Sequence, residues 1–205
     1  MEALLELYAR PYDRRTPTVC LDEVPVQLLG EVSLGLRMTP SKSTRIDYEY
    51  QRNGTASIFV AIEPLSGRRV YLVSEQRTAS DYARFLKMVS EHWADAEMIN
   101  LVQDNLNTHT PGSLYTVFAP EEAFALAARF DPHYTPVKAS WLNMAEIELS
   151  ALSKQCLDRR IGSFGELERE VTACARKRQG LTITWRFTQS DARAKLKRHY
   201  PTIQI

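Results

Sequence analysis

LVQDNLNTHT, residues 101–110, decides the fold. Leu101 and Val102, with Met98 and Ile99 just upstream, make a short apolar run that stops at Asp104 and Asn105 before a polar loop. That pattern predicts a buried strand with a carboxylate at its end. Such a carboxylate needs hydrogen bonds, an ion pair or a bound cation, because an uncompensated charge out of water is costly. A metal at the C-terminal edge of a sheet would meet the need.

Two other stretches pose the same question. In TPTVCLDEVP, Thr18 to Leu21 predict a strand that ends at Asp22 and Glu23, with Pro25 expected to prevent its continuation. In SWLNMAEIELS, Glu146 sits in a helical pattern whose Leu142, Ala145 and Leu149 share a face. Two Asp and a Glu from three separated elements are the residue types that hold hard divalent cations for phosphodiester chemistry. Glu23 and Glu148 are the substitutes if the register differs by one or two residues.

The chain has 205 residues, 44% hydrophobic and 25% charged, which predicts one ordinary globular domain and excludes a disordered chain. No apolar run approaches the length of a membrane span, and MEALLELYARPYDRR lacks the order of a signal peptide, so a soluble intracellular protein is expected. Cys20, Cys156 and Cys174 show no paired spacing, which argues against a disulfide framework or a structural zinc site. The net charge of +1 hides a split: from Lys154 onward there are twelve Lys and Arg against five Asp and Glu. A polyanion lying across that basic part fits the split, as does a solvated basic helix face.

Read in order, the chain predicts a short helix with Leu4, Leu5 and Tyr8 on one face, the strand ending at Asp22, and a flexible excursion over residues 30–44. A hairpin follows, turning at Asn53-Gly54 between strands at 45–50 and 55–62, with a third strand at 70–73. Ser80 is placed to cap a helix to Trp93, whose Tyr82, Phe85 and Trp93 belong in the core. After the 101–104 strand come helices at 111–118 and 120–128, a strand at 130–135, helices at 142–157 and 164–177, a strand or extended arm at 181–187, and a basic helix at 191–199. Strands first, then alternating strands and helices, predict a mixed α/β sheet with helices on its faces.

With these stretches in hand, CLDE around Asp22, LVQDNLNTH around Asp104 and SWLNMAEIE around Glu146 resemble the DDE catalytic domain of the mariner superfamily of transposases, most closely its bacterial insertion-sequence branch. YEYQRNGTA from Tyr48, HYTP from His133, QCLDRRI from Gln155, WRFT from Trp185 and KLKRHYP from Lys195 extend the resemblance over essentially the whole chain. Two departures stand out: Val137-Lys138-Ala139-Ser140 replaces a Lys-His-Gly-Ser type sequence, and the gap from Asp104 to Glu146 is long for the superfamily.

The resemblance implies a ribonuclease H-like α/β fold for residues 1–205, a mixed sheet with helices on both faces, and a basic helical part from about residue 160. It implies that Asp22, Asp104 and Glu146 are catalytic and hold two Mg²⁺ or Mn²⁺ ions, one activating water or a 3′-hydroxyl and the other stabilising the leaving oxygen. The activity implied is cleavage of DNA at transposon ends and transfer of the 3′-hydroxyl into target DNA. Another ribonuclease H-like nuclease, or an inactive remnant that binds DNA or a partner chain, is the alternative.

DNA is the expected partner, with a homodimer in the active complex. Because no helix-turn-helix region precedes Tyr8, a separately encoded N-terminal DNA-binding chain is a further expected partner. A cytoplasmic protein, nucleoid-associated when bound to DNA, follows. Asn105 and Asn143 are expected to brace the site through hydrogen bonds. His109 is expected either to reach a phosphate or metal-bound water or to cap the next helix. Lys138, Arg159, Arg160, Lys195, Lys197 and Arg198 are the expected DNA contacts, and Trp141 either packs or stacks on a displaced base.

Overall fold

The computed structural model describes residues 1–32, 49–106, 109–137 and 139–196. Its sheet is built on β1 (Thr18–Glu31), β2 (Tyr50–Ile62), β3 (Arg69–Ser74), β4 (Ile99–Gln103) and β5 (Phe130–Tyr134). The strand order is β3-β2-β1-β4-β5. β1–β2 and β2–β3 are antiparallel, whereas β1–β4 and β4–β5 are parallel. This is the mixed sheet of a ribonuclease H-like fold.

The helices are α1 (Glu2–Tyr8), α2 (Ala79–His92), α3 (Pro120–Ala127), α4 (Ala145–Leu152), α5 (Phe164–Arg178) and α6 (Gln189–Lys195). Strand alternation sorts the core into two faces. Val19 and Leu21 of β1, Phe59 and Ala61 of β2, and Ile99 and Leu101 of β4 pack with Tyr82, Phe85, Val89 and Trp93 around α2. Cys20, Val60, Ile62 and Val102 face the other way, onto Leu142, Ala145 and Leu149 of the α4 region and Leu4, Leu5 and Leu7 of α1. α5 covers the rest of that face through Leu167 and Val171 against Leu28, Ala56 and Ile58. Among the described residues, no helix is long and apolar enough to cross a membrane.

β1 does not stop at Asp22. It runs to Glu31 through Pro25, which pairs with Ser57 of β2. The parallel ladder to β4 covers only Thr18 to Cys20, so among the described residues no strand pairs with that flank of β1 at residue 25, which tolerates a residue with no N–H. The Asn53-Gly54 hairpin is also overturned. β2 passes straight through, and the register with β1 shifts there, from Leu28 opposite Gly54 to Leu29 opposite Arg52. Asn53 is the extra residue of a β-bulge, Gly54 supplies a positive φ of 113°, and Asn53 Nδ2 donates to the Gly162 carbonyl at 2.7 Å. The excursion and first hairpin strand fall largely in 33–48, outside the described residues.

Smaller differences have local causes. Thr78, not Ser80, caps α2, because Asp81 three residues later completes a reciprocal capping box with it. The 111–118 helix is a 3₁₀ turn over Pro111–Thr116, and α4 gives way to a π turn over Ser153–Leu157. Residues 181–187 are extended but join no strand of the sheet; Ile183 and Trp185 pack instead against the α1 and α4 face.

Candidate active site

The register between β1 and β4 sets Thr18, Val19 and Cys20 opposite Asn100, Leu101 and Val102. Continuing that offset by two residues brings Asp22 beside Asp104, at the C-terminal end of β4. Asp22 shares the parity of Cys20 and Val24, so it points to the α4 face, from which Glu146 approaches. Burial first, and then the negative charges of Glu23, Glu146 and Asp104, push the Asp22 carboxyl up to about 7, against the pull of its bond from the Glu23 N–H. Asp22 therefore lies within electrostatic reach of both Asp104 and Glu146.

Asn143 ties this arrangement together. Its Nδ2 donates to the Leu21 carbonyl at 2.8 Å and lies 3.5 Å from Asp22 Oδ2, while its Oδ1 accepts the Ala145 N–H at 3.1 Å. One buried amide thus fastens the first turn of α4 to the strand that carries Asp22. Asn105 is exposed in the loop after β4. Loop residues 107–108 lie outside the described residues.

His109 is 1% exposed and stacks on Tyr82, with ring centroids 4.6 Å apart. Its Nδ1 lies 2.5 Å from Asp104 Oδ1 and its Nε2 3.2 Å from Glu23 Oε2. Neither ring nitrogen is aligned for a well-formed hydrogen bond, so the pairing is electrostatic. Burial alone would lower its pKa; Glu23 and Asp104 outweigh that and raise it. Gln103 links the two stacked residues, accepting the Tyr82 hydroxyl at 2.7 Å and donating from Nε2 to the His109 backbone carbonyl at 3.4 Å. His109 makes no cap for the following turn, which begins at Thr110 without a side-chain bond.

The two substitute carboxylates are already engaged. Glu23 has the opposite parity to Asp22, toward α2, and meets His109 and, at 3.3 Å, Arg77. Glu148 is fully buried between Arg69 and Arg178. Neither partner set was legible, since the contacts join residues 54 to 86 positions apart in the first case and 30 to 79 in the second.

As hard oxygen donors, Asp22, Asp104 and Glu146 suit Mg²⁺ or Mn²⁺. Among the described residues no cation lies beside Asp22 or Glu146, and no three His, Cys, Asp or Glu side chains already form an ion-binding cluster. The donor set fits the ions by its chemistry.

The basic residues divide. Arg159 pairs with Glu170, and Arg160 Nη1 with Glu31 at 2.7 Å and the Glu49 carbonyl at 2.9 Å. Lys195 lies 5.7 Å above the Phe187 ring. Lys138, Lys197 and Arg198 fall outside the described residues. Arg169 and Arg176, seven residues apart on α5 and so on one face, are exposed along a shallow groove with Thr172. That spacing was the available signal for a cationic stripe. Trp141 is 45% exposed, stacked at 6.4 Å on Trp185 and edge-on to Phe187.

Solved structures similar to this chain include complexes of Mos1, a mariner transposase. The Mos1 mariner paired-end complex with Mn matches at a TM-score of 0.58 and 14% identity, over 87% of this chain and 53% of that one. The Mos1 transposase paired-end complex with the left transposon end gives 0.60 and 15%, with the same coverage. The Mos1 strand transfer complex gives 0.57 and 16%, over 85% and 51%. The chain spans about half the length of these proteins. No curated protein matches it in sequence. Residues 17–168, which hold β1 through the first turns of α5 and all three carboxylates, match the family model described as DDE superfamily endonuclease, and the chain belongs to that family.

Proposed function

We propose that this chain is the catalytic domain of a mariner-type DNA transposase, cutting DNA at transposon ends and joining the freed 3′-hydroxyl to target DNA. The observation that carries the reading is that Asp22, Asp104 and the Glu146 helix lie at one end of a ribonuclease H-like sheet, with no described cation beside Asp22 or Glu146. Family membership and the fold shared with the Mos1 complexes support it. The motif resemblance favours the bacterial insertion-sequence branch.

In this reading Asp22, Asp104 and Glu146 hold two divalent ions. Bound there, the ions would polarise the scissile phosphate and ease deprotonation of the attacking hydroxyl. The chain does the rest. Asn143 fixes Glu146 relative to Asp22, and His109 holds one oxygen of Asp104 so that the other faces the site. Exposed cations on α5 carry the phosphate backbone. A second copy of the chain in the active complex completes the proposal.

Supercoiled plasmid, Mn²⁺ and the purified chain test the nuclease; a precut 3′ end added to target plasmid tests strand transfer. Nicking with strand transfer supports a transposase. Nicking without transfer indicates a different nuclease on the same fold, and neither activity, with DNA still bound, indicates an inactive remnant.

A further inference from the structure

Two residues along α4 from Glu146, Glu148 is 0% exposed and takes five hydrogen bonds. Arg69 Nη1 reaches its two oxygens at 2.9 and 3.0 Å; Arg178 Nε and Nη2 reach them at 2.7 and 2.9 Å; the Tyr71 hydroxyl supplies the fifth. The remaining donors are also used. Arg69 bonds to the carbonyls of Gly67 and Leu181, and Arg178 Nη1 to Gln155 at 3.1 Å. β3, α4, the end of α5 and the arm beyond it therefore meet on one carboxylate. Burial pushes that carboxyl up, but Arg178, Tyr71 and Arg69 together hold it below its usual range.

Three charges in a core are a poor means of gaining stability, since a well-packed apolar trio holds as well or better. What the ionic trio adds is direction. With side chains, a helix has a radius of about 5–6 Å, so a 20° roll would carry a carboxylate on its surface by roughly 2 Å. Metal ligands tolerate about 0.2 Å. Asn143 hydrogen-bonds only the first turn of α4, and the apolar contacts of Ala145, Leu149 and Leu152, being non-directional, fix the rotation of the helix less sharply than a hydrogen-bonded anchor.

We propose that Glu148, gripped by Arg69 and Arg178, is a positioning residue for Glu146: the buried trio sets the rotational phase of α4 and thereby presents the Glu146 carboxylate to divalent metal. The idea rests on the reading of Glu146 as a metal ligand. It also makes the seating of α5, through Arg178, a condition for a formed site.

The test uses Mn²⁺ alone as the probe, with free Mn²⁺ counted by electron paramagnetic resonance, alongside plasmid nicking and thermal unfolding. Arg178→Gln leaves a neutral Arg69–Glu148 pair, so the fold is expected to persist. Its Mn²⁺ affinity should fall about 10-fold, the scale seen when groups that orient metal ligands are lost. Nicking should recover at high Mn²⁺, DNA affinity in EDTA should match the parent, and Arg178→Lys should lie between. A second variant, Arg69→Met with Glu148→Leu and Arg178→Met, removes the trio while keeping an apolar core. If it, or an Arg178→Gln protein with a lowered midpoint, binds Mn²⁺ as the parent does, the trio is only structural and the proposal is overturned. Glu146→Gln separates the two failures. Unchanged Mn²⁺ affinity in that variant would overturn the ligand reading and the clamp with it; weakened affinity there, but not in Arg178→Gln, overturns the clamp alone.

Discussion

Two places in this molecule put acidic residues side by side, and they treat them oppositely. On β1, Glu23 is buried against His109 and Arg77, while the carboxylate of its neighbour Asp22 accepts only the Glu23 N–H and one long contact from the Asn143 amide among the described residues. On α4, Glu148 is enclosed by two guanidinium groups and a phenol, whereas Glu146 has no cation beside it among the described residues. One member of each pair is spent on the fold. The other is left for something the polypeptide does not supply, and the two left over face the same end of the sheet as Asp104. Uncompensated charge, more than acidity itself, marks the functional positions.

The sharpest way to break this comparison is to change the two α4 carboxylates in turn. Glu146→Gln should take Mn²⁺-dependent nicking below detection while shifting unfolding free energy by less than about 0.5 kcal/mol, as for a surface change that removes no native contact. Glu148→Ala should do the reverse in kind, costing about 3–5 kcal/mol in a urea melt, because two buried guanidinium groups lose their counter-charge. If Glu146→Gln nicks like the parent, or the two variants melt alike, the division between them is wrong.

His109 sits between the two classes, and its replacement should have an intermediate effect. His109→Asn keeps a polar group near Asp104 but loses the bridge to Glu23, so single-turnover nicking should drop by about 10–100-fold. A rate equal to the parent's would make His109 a packing residue of the Tyr82 stack. Asp22 offers a smaller effect with an unusual sign. Removing one of several mutually repelling, half-buried carboxylates should stabilise the metal-free protein, so Asp22→Asn in EDTA at pH 8 should gain on the order of 1–2 kcal/mol. Loss of stability instead would mean that Asp22 is compensated after all.

Much of this contrast was legible in the sequence, for a physical reason. A buried strand that ends in a carboxylate announces a charge in need of a partner, so Asp104 stood out from ten residues, and part of that need is met by His109 in the same loop. What compensates Glu148 could not be found that way, because Arg69 is 79 positions away and nothing local distinguishes a buried arginine from a solvated one. The misread Asn53-Gly54 shows a second limit: a positive-φ glycine serves a bulge as well as a turn, and only the continuing ladder with β1 tells which. Pro25 shows a third, since whether a proline ends a strand depends on whether a neighbour needs its N–H. The helical faces of α2 and α5 were readable because their partners are set by period alone.

The same distinction divides the cations, and it leads to the smallest predicted effect. The basic C-terminal part is less available than its composition suggests: Arg159 is matched by Glu170, Arg160 by Glu31, Arg178 by Glu148 and Arg193 by Glu2. A cation already paired on the surface has few counterions to displace from DNA, so it adds little to affinity or to salt dependence. Arg169 and Arg176 are exposed and share one face of α5. Binding through them should be nearly indifferent to sequence, because no helix among the described residues presents base-reading side chains in a groove-binding arrangement. Arg169→Glu with Arg176→Glu should flatten the slope of log affinity against log salt by about 1.8, at roughly 0.9 per phosphate contact. Arg159→Gln with Arg193→Gln should leave it nearly unchanged. Fluorescence anisotropy at several salt concentrations, on a transposon-end duplex and a scrambled one, reads both. Equal slopes for the two double variants would mean that pairing on the surface does not decide which cations meet DNA, and a strong preference for one duplex would mean that this domain reads sequence itself.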